Sequence, residues 1–160
     1  MKLVRLAVAV LLLVFVSVPL LAAEPTQIEK EVKDWLNAYS KAYEKKDLNT
    51  LMSMIAPGNS AVFIDSSPQG RYIGADAIKK AYEAEFPQIQ SVAMEPTWVT
   101  ASTKGDLAWF AADMTAKVDL GKEKFVVPGR WTGVLEKQGG KWIIILSHFS
   151  YTAQDEKEEK

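Results

Sequence analysis

The chain has 160 residues, a net charge of −1, a single histidine and no cysteine. Those counts exclude disulfides and cysteine lipidation, and they leave no clustered imidazole or thiolate for a zinc or copper site. Acids and bases balance without a basic stripe, so neither nucleic acid nor anionic lipid is an expected partner. No cofactor is expected either.

Residues 1–23 read as a secretory signal. Lys2 and Arg5 give a positive start, Leu6 to Val18 is apolar apart from Ser17, and Pro19 breaks the run. Leu21-Ala22-Ala23 offers small residues, with cleavage expected after Ala23 or Ala22. The apolar run falls short of the roughly 20 residues that a spanning helix needs, which favours cleavage over an anchor. The expected location is therefore periplasmic or secreted, with no membrane contact after cleavage. Residues 24–153 suffice for one domain held by its own core, and 154–160 form a charged tail expected to be disordered.

Thr26-Gln27-Ile28-Glu29 has the pattern of a capping box. Ile28, Val32, Trp35, Leu36, Tyr39, Ala42 and Tyr43 then make one continuous stripe and predict an amphipathic helix. A second, short helix starts at Asp47, turns Leu48, Leu51, Met52 and Ile55 inward, and stops at Pro57-Gly58. Residues 60–65 predict a strand, and after a turn at 66–70 Arg71-Tyr72-Ile73 forms a short return strand. Asp76 or a neighbour is expected to cap a third helix, with Ile78, Ala81, Tyr82 and Phe86 on its apolar face and Pro87 at its end.

Everything after that predicts strand: residues 92–103, 107–120, 125–137 and 142–152, with turns at Lys104-Gly105-Asp106, Gly121-Lys122 and Gly139-Gly140. Long consecutive strands imply an antiparallel meander, and Pro128-Gly129 suggests a bulge or bend in the third of them. Helices first and strands after is an α+β order. The expected architecture is three N-terminal helices on a strongly curved antiparallel sheet, covering a hollow without filling it.

The segment Thr132-Gly133-Val134-Leu135-Glu136-Lys137-Gln138-Gly139-Gly140-Lys141-Trp142-Ile143-Ile144-Ile145-Leu146-Ser147-His148-Phe149-Ser150 resembles the closing hairpin of the SnoaL-like branch of the nuclear transport factor 2-like superfamily. It is also similar to the association domain of calcium/calmodulin-dependent protein kinase II. Upstream, Trp35 and Tyr39, Asp47-Leu48, Phe63-Ile64-Asp65 and Gly74-Ala75-Asp76-Ala77-Ile78 agree with the same resemblance. The resemblance implies a cone-shaped fold and, through the sheet, a homodimer. It does not imply one activity, because the fold hosts isomerases, cyclases, dehydratases, hub domains and binders. In the kinase association domain, arginines on this hairpin line the pocket. Gly133 and Phe149 stand at the matching positions, so an apolar ligand suits this chain better than an anion.

Asp113 is the candidate catalytic residue. It shares one face of an apolar strand with Trp109, Ala111 and Thr115. Facing the hollow, its carboxyl becomes a usable general base or acid, as the resemblance to isomerases and cyclases implies; facing outward, it is a solvated or ion-paired aspartate. Tyr39, Tyr82, Phe86, Trp109 and Trp131 are candidate ligand-binding walls, or ordinary core. Arg130 and His148 are candidate polar contacts whose relation depends on the hairpin. A three-residue loop sets Arg130 opposite His148; a two-residue turn sets Trp131 there.

Three readings follow. An exported binder of a small, largely apolar molecule needs an open interior. A cofactor-free isomerase or cyclase needs, in addition, a buried carboxyl with a raised pKa facing a hydroxyl donor. An assembly module without ligand predicts an interior closed by side chains and a large apolar patch on the sheet.

Overall fold

The computed structural model describes residues 24–152; residues 1–23, read above as a secretory signal, and the charged tail at 154–160 lie outside the described residues. Helix α1 spans Gln27–Glu44, α2 Leu48–Ser53 and α3 Ala75–Glu85. The strands are β1 Val62–Ile64, β2 Arg71–Ile73, β3 Ser91–Lys104, β4 Leu107–Asp119, β5 Lys124–Gln138 and β6 Lys141–Tyr151. They form one curled, unclosed sheet in the order β2-β1-β6-β5-β4-β3. All neighbours are antiparallel except β1 and β6, which run parallel, so β1 and β2 extend the meander.

The capping box forms as read. The Thr26 hydroxyl accepts from the Glu29 N–H at 3.3 Å, and the Thr26 N–H donates back to the Glu29 carboxylate at 2.8 Å. The α1 stripe then buries Val32, Trp35, Leu36, Tyr39 and Ala42 against the concave face of the sheet. Two indole bonds fix the helix to the β5–β6 hairpin. Trp35 Nε1 donates to the Trp142 carbonyl at 3.0 Å, and Trp142 Nε1 donates to Glu31 at 2.9 Å.

Several local expectations are corrected. Gly74, at φ 87°, is the N-cap of α3, and Asp76 sits in the first turn instead. Ile55 leaves α2 to make a parallel bridge with Ile144. Pro128-Gly129 causes no register break, since Thr115 pairs with Pro128 and Met114 with Gly129 in sequence. Gly129 serves a close approach: a Cβ there would lie 2.6 Å from Phe149 Cζ. The actual irregularities are an extra residue at Thr97 in β3 and another at Ile145 in β6.

The second of these bulges resolves the hairpin. Gly139 and Gly140, both at positive φ, form a two-residue turn that pairs Gln138 with Lys141. The extra residue at Ile145 then shifts the ladder by one, and Thr132 falls opposite His148. Neither alternative read from the sequence holds, because both assumed an unbroken ladder.

Candidate functional site

The sheet has two faces, and they divide the candidate residues. Asp113 faces outward. Its side chain is 55% exposed and lies 3.9 Å from the Nε of Arg130, its direct cross-strand neighbour, which is 71% exposed. Trp109 is about half exposed on the same face, and His148 is exposed there beside Ile64. Arg130 pairs with Ser150, so it stands one row from His148 and is not bonded to it. The expectation of Asp113 projecting into a hollow is thus corrected: the strand's phase turns it to water, with Arg130 as its partner.

Tyr39, Tyr82, Phe86 and Trp131 do come together, on the inner face. Tyr39 lies 4.9 Å from Trp131 and 5.3 Å from Trp35, between ring centroids. Phe110 packs edge-on to Trp131 at 5.8 Å. Tyr82 stacks on Phe86 at 5.5 Å, and Tyr43 meets Phe86 edge-on at 5.3 Å. The Tyr39 and Tyr82 hydroxyls bond to each other, and Trp131 Nε1 donates to Ser147 Oγ at 2.9 Å. These rings fill the space under the helices. Gly133 makes the filling possible, since a Cβ there would lie 2.7 Å from the Phe110 ring and 2.8 Å from the Leu146 carbonyl oxygen. Gly133 is buried, and Phe149 is packed against the core on this face.

Where the aromatic layer reaches water it carries an acid that sequence reasoning passed over. The Tyr43 hydroxyl lies beside the Glu85 carboxylate, with Tyr151 and Asp65 close enough to act on them electrically. Glu85 is exposed as a whole residue, yet partial loss of water around its carboxyl pushes it above the ordinary glutamate range; the Tyr43 hydroxyl opposes this, and the charge of Asp65 adds to it. Burial also raises the Tyr39, Tyr43 and Tyr82 phenols, so all three stay neutral donors at physiological pH. Glu85 was detectable in principle: it lies three residues after Tyr82 and next to Phe86, on the edge of the apolar face of α3. The Ser40 hydroxyl is buried and has no bond partner among the described residues.

The outer face carries a row that crosses all six strands: Ser102, Trp109, Val134, Leu146, Val62 and Ile73. Five of the six are apolar, and Trp109, Leu146 and Ile73 are exposed. Ile64 and Leu107 extend this patch, and among the described residues no helix covers it. Among the described residues no three His, Cys, Asp or Glu side chains gather as a metal site, and no helix is long and apolar enough to cross a membrane.

Comparison with known proteins agrees with this architecture. A family model described as SnoaL-like domain matches residues 32–154. No curated protein matches the sequence. Among solved structures, a nuclear transport factor 2-like superfamily protein from Salmonella enterica is 18% identical, with a TM-score of 0.71 over 83% of this chain and 96% of that one. A Xanthomonas campestris protein named for the calcium/calmodulin-dependent protein kinase II association domain is 22% identical, with a TM-score of 0.68 over 78% of this chain and 88% of that one. A Novosphingobium aromaticivorans protein named for scytalone dehydratase is 15% identical, with a TM-score of 0.70 over 78% of this chain and 83% of that one. At these identities the likeness is one of fold.

Proposed function

This chain belongs to the SnoaL-like domain family, and from that premise we propose that it is an exported assembly module whose outer sheet face binds a second copy of itself. The carrying observation is the apolar row from Trp109 to Ile73, open to water on a sheet whose other face is filled. Contiguous exposed apolar surface of this kind marks a contact site. A two-fold contact presents the same patch from both copies, which suits a row spanning the whole sheet. Arg130, Asp113 and His148 flank that row and form a polar border to it. Export rests on the signal-like residues 1–23; protein recovered from the cell envelope should begin at Glu24 or Ala23.

Sedimentation equilibrium tests the assembly. The native protein is expected to sediment as a dimer, and Trp109→Glu together with Leu146→Lys as a folded monomer. A native protein that stays monomeric at high concentration would remove this reading.

A second reading rests on Glu85. A carboxyl held above its usual range beside a phenol is suited to moving a proton or to anchoring a small, largely apolar molecule. Relatives by fold include the protein named for scytalone dehydratase, a name that denotes removal of water from its substrate. A ligand reaching Glu85 from inside must displace Tyr82 or Phe86. Native mass spectrometry of protein taken from its own host tests this: a retained compound, lost in Glu85→Gln, supports it, and an empty protein counts against it.

A further inference from the structure

β3 is an edge of the sheet, and α1 runs along it. Unpaired donors on such an edge need acceptors. At one end the Met94 N–H donates to the Glu44 carboxylate at 2.8 Å. At the other, the Thr100 hydroxyl donates to Glu29 at 3.1 Å. Carboxylates from α1 therefore close both ends of this edge.

Between them the pattern changes. A groove of about 240 Å³ opens there, lined by Pro25, by Glu29, Lys30 and Lys33 from α1, and by Pro96, Thr97, Trp98 and Val99 from β3. Neither lysine has an acid partner among the described residues, and the Trp98 indole N–H has no acceptor there. Glu29, the one acid in the lining, already accepts from Thr26 and Thr100. Three donors without acceptors thus border one concavity, beside an indole ring about half exposed. Another strand is a poor occupant, because Pro96 has no N–H to offer and the extra residue at Thr97 breaks the ladder.

We propose that this groove binds a small organic carboxylate with an apolar body, a site separate from both the outer row and Glu85. The carboxylate lies between the two ammonium groups and the indole N–H, taking the role that Glu29 and Glu44 play at either end. The apolar part rests on the Trp98 ring. The groove holds a single ring or short chain and no more.

The test is titration of ¹⁵N-labelled protein with benzoate and, separately, with benzyl alcohol as its uncharged counterpart, followed by NMR. Benzoate is expected to shift the Trp98 indole resonance and the Thr97 and Val99 amides, and benzyl alcohol to leave them in place. Replacing both lysines (Lys30→Gln, Lys33→Gln) should weaken benzoate binding by at least about fivefold, with circular dichroism and melting unchanged. Added salt should weaken it in the native protein too. The absence of any benzoate shift, equal shifts from the two compounds, shifts centred elsewhere, or undiminished binding by the double variant would each overturn the proposal.

Discussion

On β4 the inward positions are Ala108, Phe110, Ala112, Met114 and Ala116, all buried, while the outward ones include Leu107, Trp109, Asp113 and Lys117, all exposed. Both faces carry tryptophan. Inside, Trp35 and Trp131 have every indole N–H bonded and every ring in contact with another ring. Outside, Trp109 has neither. The difference lies in what opposes each face. Small residues on the sheet, Gly133 and the alanines of β4, admit large rings on the inside, and α1 and α3 bring Trp35, Tyr39 and Tyr82 to meet them. The outer face has apolar side chains of similar size and, among the described residues, no element to receive them. One face is finished by folding, and in the proposed dimer the other is finished by association.

Four substitutions sharpen that contrast, in falling order of effect. Trp131→Ala removes the ring at the centre of the inner layer and should cost about 3–5 kcal/mol in denaturant unfolding. Gly133→Ala forces a methyl against the Phe110 ring and the Leu146 carbonyl, and should cost about 1–3 kcal/mol by the same measurement. Glu85→Gln acts through pH. Because the folded carboxyl is raised, the folded state holds its proton more tightly, so native stability falls as pH rises from 4.5 through the raised value. The glutamine variant should lack that decline, and the difference between the two melting curves should grow across this window and then level off. Asp113→Asn removes only an exposed ion pair and should change stability by less than about 1 kcal/mol. A large loss in this last variant would mean that Asp113 has an interior role.

The elements were legible because their signals are local. Glycines at the turns and two-residue alternation located the four long strands to within a residue or two, and Thr26 with Glu29 marked the start of α1. The direction of Asp113 was less legible, because β4 is apolar on both faces near it. The decisive clue is distant: Lys117 shares its phase, and Ala108, Ala112 and Ala116 share the other. The bulge at Thr97 follows Pro96, which interrupts the strand chemically, but the bulge at Ile145 has no glycine or proline to mark it, and it sets the position of His148. Glu85 stayed hidden because its character comes first from loss of water around its carboxyl in the folded chain, which Tyr43 opposes and Asp65 reinforces, both distant in sequence.

Oxidative labelling of tryptophans over a dilution series tests the central claim, that one face is closed by folding and the other by a second copy. Trp35 and Trp131 should resist labelling at every concentration, and Trp109 should be protected in concentrated protein and become labelled on dilution. Labelling of Trp109 that ignores concentration, or ready labelling of Trp131, would contradict it.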